Sequence, residues 1–240
     1  MSHTDKDFDF AGGEIFLVDK PLNWTSFDVV NKLRNCIKPL KVKVGHGGTL
    51  DPLATGLLVV CTGKFTKRLE GFQGEDKEYT GTFTLGATRP SYDMESEIDQ
   101  EFGYDHIRPE DVLKAAASFL GESEQTPPLH SAVKVDGERV YEKARRGETV
   151  KLKTRTINIF KFEITKIDLP EIEFHIACSK GTYIRTIAHD FGKALNSGAY
   201  LSSLKRVKSG NFALENAWDL QDLIDAILDF KSRNQNTALD

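Results

Sequence analysis

Gly45-His46-Gly47-Gly48-Thr49-Leu50-Asp51-Pro52-Leu53-Ala54-Thr55-Gly56 holds one carboxylate in a glycine-rich loop and runs directly into the apolar segment Gly56-Leu57-Leu58-Val59-Val60-Cys61. Gly45, Gly47 and Gly48 can adopt positive φ or admit another chain closely. Pro52 biases the residue before it away from the helical region, which holds Asp51 extended or in a turn at the loop's tip. The apolar segment, closed by Gly63, reads as a buried strand anchoring the loop. Catalytic groups are commonly carried on loops held by such scaffolds. From these residues alone, Asp51 is either a presented carboxylate or a turn residue that accepts hydrogen bonds from its own loop. A phosphate-cradling loop fails on residue identity, because Gly63-Lys64 is followed by Phe65 where Ser or Thr is needed to hold magnesium.

Working outward, strands and helices mix without a regular βαβ alternation. Ser26 to Ile37 reads as a helix behind a Thr25 or Ser26 cap, and Pro109 to Leu120 as another, with proline in its first turn, Glu110 and Asp111 at its positive end and Gly121 as its stop. Lys77 to Leu85 alternates as a strand. Ile172, Phe174, Ile176 and Cys178 alternate with Glu173, His175 and Ala177, a half-buried strand feeding a helix whose apolar face is Ile184, Ile187, Ala188 and Phe191. Leu220, Leu223, Ile224, Ile227 and Leu228 mark a last amphipathic helix. The pattern predicts an α+β fold around a largely antiparallel mixed sheet with flanking helices.

The 240 residues, 39% of them hydrophobic, can bury a sizeable core, and no Pro, Gly or Ser linker divides them, so one domain over 13–240 behind a mobile tail of residues 1–12 is expected. No stretch is apolar enough to span a membrane and no signal peptide opens the chain. Cys36, Cys61 and Cys178 are odd in number and lie in apolar settings, as reduced cysteines of a cytoplasmic protein do. The six histidines include no pair at metal-ligand spacing, which disfavours a metallohydrolase or a zinc deaminase.

The loop resembles the G-H-x-G-x-L-D-P-x-A-T-G signature of the TruB family of tRNA pseudouridine synthases, and it is matched over its full length. Four further blocks follow the family's order: Asp19-Lys20-Pro21 with Thr25-Ser26; Lys77-Glu78-Tyr79; Gln125 to Lys134 with Tyr141 and Ala144-Arg145; and Gly181-Thr182-Tyr183-Ile184-Arg185-Thr186. The resemblance implies a pseudouridine-synthase-type domain that isomerises uridine 55 in the tRNA T-loop, without cofactor or metal, after flipping the base. It makes Asp51 the nucleophile, with attack at the ribose C1′ the favoured account, and Arg185 the arginine that pairs with it. Tyr79 becomes the residue that stacks on the target base and serves proton transfer at C5. His46, Tyr183 and Leu204 line the flipped-nucleotide pocket. The implied partner is the T-arm of tRNA, bound by a monomer with no membrane association. Without that resemblance, Arg185 reads equally as a surface arginine beside an apolar helix face, and Tyr79 reads better as cross-strand packing.

Charge adds an apparent contradiction, since the chain carries −4 overall. Residues 31–70, however, contain eight Lys or Arg against Asp51 and Glu70, and residues 139–166 contain nine against three Glu. From composition alone a solvated charged face is the better reading of each run, and the resemblance makes these two, with Lys64, Lys67 and Arg68 in the first, the candidate phosphate-contacting surfaces. The acidic stretch within 75–111, around Asp93 to Glu101, is expected to face away from RNA. The resemblance also carries departures. Asn23 stands where glycine is usual and His130 where tyrosine is usual, and the chain reads as a short form without the RNA-binding PUA domain of many relatives.

Overall fold

The run Ile15-Phe16-Leu17-Val18-Asp19-Lys20 buries every second side chain, Phe16, Val18 and Lys20, and so forms the first strand, β1 (Ile15–Lys20). The computed structural model, which describes residues 6–128, 134–135, 138–139 and 153–236, continues with α1 (Ser26–Ile37), β2 (Val44–His46), β3 (Ala54–Thr62), a 3-10 helix at Gly63–Arg68 and the short α2 (Leu69–Gln73). Next are β4 (Lys77–Leu85), β5 (Ala87–Thr88), β6 (Gln100–Glu101), α3 (Pro109–Ser118), β7 (Gly121–Gln125), β8 (Lys134–Val135) and β9 (Glu138–Arg139). The remaining elements are β10 (Arg155–Asp168), β11 (Glu171–Cys178), α4 (Ile184–Ala194), β12 (Ala199–Ser209), β13 (Phe212–Ala213), β14 (Trp218–Asp219) and α5 (Leu220–Asn236). They gather into two compact units, Met1–Glu75 with Lys205–Asp240, and Asp76–Leu204.

In the first unit β1 runs antiparallel to β3, from Ile15 opposite Cys61 to Lys20 opposite Gly56, and parallel to β14. β2 pairs with the far end of β3, His46 opposite Val60, which delivers the glycine loop between two turns of one ladder. Val29, Val30, Leu33 and Ile37 of α1 and Leu223 and Ile227 of α5 share a core with Phe16, Val18, Leu58 and Val60. α1 begins with a capping box: the Thr25 hydroxyl accepts from the Asp28 N–H (3.0 Å), and the Thr25 N–H donates to the Asp28 carboxylate (2.9 Å). The cap is thus Thr25, which releases Ser26 for a buried role.

The tail expectation needs correction from residue 6 onward, residues 1–5 lying outside the described residues. Phe8 and Phe10 are buried, stack on each other at 5.3 Å and meet Phe230 of α5 edge-on. Two aromatic side chains at alternate positions bury enough apolar area to fix a segment whose other residues are polar.

In the second unit β4, β11, β10 and β7 follow one another as an antiparallel ladder, with Ile176 opposite Tyr79 and Arg155 opposite Gln125. Residues Ala199–Leu204 of β12 lie beside β4, where the Thr84 and Ser202 hydroxyls bond at 2.8 Å. Phe83, Phe162, Phe174 and Phe191 form the centre of its core, joined by Val112 and Ala116 of α3 and by Ile184 and Ile187 of α4. α3 stops at Ser118, two residues early, because Phe119 and Leu120 turn back in i→i−3 bonds to Ala116 and Ala117. The mixed, largely antiparallel sheet with flanking helices is the expected α+β class.

Candidate active site

The loop around Asp51 is tied down residue by residue. Ser26 Oγ accepts from the Leu50 N–H (2.8 Å) and donates to the Leu50 carbonyl (3.1 Å). Asp51's own carbonyl accepts from the Ala54 N–H (3.0 Å), closing the turn. The Pro52 carbonyl accepts from the Asn23 N–H (2.9 Å) and from Lys20 Nζ (3.4 Å). Asn23 has φ +64°, in the left-handed region that asparagine tolerates best after glycine, which accounts for that departure from the family.

Two buried cations underlie this loop. Lys20 is 0% exposed, and its Nζ also donates to the Pro21 (2.9 Å) and Trp24 (2.5 Å) carbonyls. Arg206, 2% exposed, donates from Nε to the Leu57 carbonyl (2.7 Å) and from its two terminal nitrogens to the Gly48 (3.2 Å) and Thr49 (3.5 Å) carbonyls. A buried charge is tolerated when hydrogen-bonded, and here three of the six accepting carbonyls, those of Gly48, Thr49 and Pro52, belong to the loop itself. Burial nonetheless pushes the Lys20 pKa down to about 8, against the opposing pull of Asp51 and Asp28. His46 Nδ1 accepts from the Gly48 N–H (3.4 Å), and burial, then Arg206, lower the pKa of its imidazole, which favours the neutral ring. The half-buried Asp51 therefore sits on a backbone fixed on both sides, above two buried cations.

Beside this loop, Lys64, Lys67 and Arg68 are exposed on the 3-10 helix, with the Arg68 guanidinium 5.2 Å from the Phe65 ring centre and 5.4 Å from that of Phe72. Lys32, Arg34, Lys38, Lys41 and Lys43 are exposed as well.

In the second unit, Tyr183 precedes α4 and Arg185 lies in its first turn. The Gln125 side-chain amide clasps Tyr183 by its backbone, Nε2 to the carbonyl at 3.1 Å and Oε1 from the N–H at 2.8 Å, and Arg155 lies over the Tyr183 ring. Tyr79 and Leu204 are partly buried against the same core that holds Ile184. Arg185 is buried, with Nε 3.5 Å from Asp93 Oδ2 and a terminal nitrogen 3.2 Å from the Ser91 carbonyl. Asp93 thereby departs from the expectation that the acidic stretch faces away from RNA as a whole: Glu95, Glu97, Asp99 and Glu101 are exposed, while Asp93 is turned in to pair with Arg185.

Sequence reading assigned no role to Lys20, Arg206 or Asp93. The first has a signal, a lysine on the inward phase of β1; the other two are masked by charged neighbours. Of the expected features, His130, Tyr141, Ala144 and Arg145 lie outside the described residues, as does the basic run over residues 140–152. Among the described residues, no three His, Cys, Asp or Glu side chains gather as a metal site would require. No helix among them is long and apolar enough to cross a membrane.

A mixed sheet with flanking helices thus carries an aspartate on a glycine-rich loop whose backbone is tied down by Ser26, Lys20 and Arg206. Residues 34–184 match the TruB family pseudouridylate synthase N-terminal domain and residues 185–240 the tRNA pseudouridylate synthase B C-terminal domain. The chain belongs to the TruB family of pseudouridine synthases, and is an isomerase. It is 54% identical over 217 residues to the tRNA pseudouridine synthase B of Flavobacterium johnsoniae, covering 88% of this chain and 95% of that one. The protein of the same name from Phocaeicola vulgatus is 52% identical, over 88% and 92%. Among solved structures, one from a Cbf5-Nop10-Gar1 complex superposes with a TM-score of 0.69 at 30% identity, over 88% of this chain. This chain spans about half, 53%, of that longer one.

Proposed function

We propose that this protein converts uridine 55 in the T-loop of tRNA to pseudouridine, acting as a monomer through Asp51. The Asp51 carboxylate attacks C1′ of the target ribose and breaks its bond to N1. The freed uracil rotates in place, C5 bonds to C1′ and displaces the carboxylate, C5 loses its proton and N1 gains one. A carboxylate nucleophile divides one difficult substitution into two easier ones. In this reading Arg185 is the arginine that pairs with the carboxylate and orients it. Tyr79 stacks on the base and serves the proton transfer at C5.

The target nucleotide must leave its stack, at a cost of a few kcal/mol. Tyr183 and Leu204 receive it, and His46, whose neutral ring is suited to stacking, fills the space it vacates. Lys64, Lys67 and Arg68 hold backbone phosphates and offset the cost of extrusion. The observation that carries this reading is the cage of Ser26, Lys20 and Arg206 around the backbone on either side of Asp51. Tertiary structure spends two buried cations on holding one aspartate's loop. The names of the most similar relatives, tRNA pseudouridine synthases, support the substrate class.

The test is pseudouridine formation in unmodified tRNA and in an isolated T-arm stem-loop, native protein against Asp51→Asn. Native protein alone is expected to convert the T-loop uridine, with both proteins binding tRNA. An active Asp51→Asn variant overturns the nucleophile, and conversion at another uridine overturns the substrate position.

A further inference from the structure

Residues Ser91, Tyr92 and Asp93 cross α4 as a unit. The Ser91 carbonyl accepts from Arg185 at 3.2 Å and Asp93 Oδ2 lies 3.5 Å from Arg185 Nε. Between them, the Tyr92 ring lies flat on His189, with ring centres 4.0 Å apart and planes 12° from parallel. His189 follows Arg185 by four residues, so both side chains leave the same face of the helix one turn apart. The loop therefore grips α4 at two consecutive turns, once through charge and once through a ring.

Tyr92 is an unusual residue for its position, because its φ of +63° is in the left-handed region, where glycine or asparagine is at home and a bulky side chain is strained. The backbone bonds at this point, Tyr92 N–H to the Arg89 carbonyl (2.9 Å) and Leu201 N–H to the Tyr92 carbonyl (2.9 Å), are open to any residue and give tyrosine no advantage. What tyrosine adds is its ring on His189. Burial lowers the pKa of His189 and so favours a neutral imidazole, a flat partner for stacking, and its Nδ1 is buried without a hydrogen-bond partner among the described residues. No hydrogen bond through that nitrogen competes with the stack for control of the ring's orientation. Asp93 is set by the same turn: its carbonyl accepts from Ser91 Oγ (3.1 Å), its Oδ1 from the Glu95 N–H (3.0 Å), and it bridges to Leu201.

We propose that the Tyr92–His189 stack is a latch that holds Asp93 against Arg185, making both Tyr92 and His189 positioning residues for pseudouridine formation. The latch rests on the role given to Arg185 above. With the stack removed, the left-handed turn at residue 92 loses its anchor to α4, Asp93 samples positions away from Arg185, and the guanidinium is no longer held in one orientation.

The experiment measures single-turnover pseudouridine formation at saturating tRNA, and tRNA affinity separately, for Tyr92→Phe, Tyr92→Gly, His189→Ala, the Tyr92→Gly/His189→Ala double variant and Arg185→Lys. Tyr92→Gly suits the left-handed backbone better than tyrosine does, so the fold is kept while the ring is lost. It is expected to slow the chemical step by about tenfold or more with affinity changed less than about twofold, and the double variant to be no slower than the slower single one. Tyr92→Phe keeps the ring and is expected to remain within about threefold of the native rate. A native rate in Tyr92→Gly overturns the latch, and so do losses in the two single variants that multiply in the double one. If Arg185→Lys is slow while Tyr92→Gly is not, the latch alone fails. If Arg185→Lys runs at the native rate, the role of Arg185 fails and the latch with it.

Discussion

Lys20 shows how a single side chain can be read from its phase and still surprise. In β1 the inward positions are Phe16, Val18 and Lys20, so a charge occupies a core position and finds three carbonyls there. Burial outweighs the pull of Asp51 and Asp28, and brings its pKa from the ordinary 10.5 to about 8. Between these values the unfolded chain holds a proton that the folded chain has released, so through this residue stability rises as pH rises across the window. Lys20→Met removes the group from both states. From pH 8 to pH 9.5 the native protein is therefore expected to gain up to about 2 kcal/mol on the variant, read from urea denaturation at each pH. A gap that stays constant would mean the carbonyl cage holds the proton up to the usual lysine range.

The elements form largely where local rules put them. α1 follows its cap and apolar period, α4 its apolar period, and β3 and β11 their apolar runs, because the restrictions on φ and the side-chain period act over a few residues. The exceptions lie at ends, where competition is closest: α3 closes early in i→i−3 turns, and Phe8 and Phe10 order a segment that is otherwise polar. β3 also depends on one glycine at its start. Gly56 has φ +97°, and a Cβ there would lie 2.3 Å from the Arg206 carbonyl oxygen and 2.8 Å from its nitrogen. Gly56→Ala is expected to cost roughly 2–4 kcal/mol through combined backbone strain and displacement of β12 from β3. Thermal unfolding measures it; a midpoint within a degree or so of native would show that the strand relaxes freely.

At the scale of the whole molecule, a net charge of −4 conceals its distribution. All eight basic residues of the 31–70 run are exposed, whereas its Asp51 is half-buried. Affinity for tRNA is accordingly expected to fall steeply with ionic strength. Replacing Lys64, Lys67 and Arg68 together by Gln should lower the slope of log affinity against log salt by about 2 to 3. Filter binding across a salt series decides it, and an unchanged slope would remove these residues from the RNA surface. Domain organisation was less legible than charge. The division into two units falls between Glu75 and Asp76 and again inside β12, between Leu204 and Lys205, so no change of composition or flexible linker marks it.

By itself, the sequence determined the glycine-rich loop that holds Asp51, the strand behind it and the helix that carries Arg185, all properties of neighbouring residues and their conformational limits. Only the tertiary structure decided which charges are inside. Arg206 reaches carbonyls 149 to 158 residues away, and Asp93 meets an arginine on a helix nearly a hundred residues later. In the sequence these look like any other surface charges, because burial belongs to the packed fold, and the partners that make a buried charge tolerable are supplied by segments that only folding brings together.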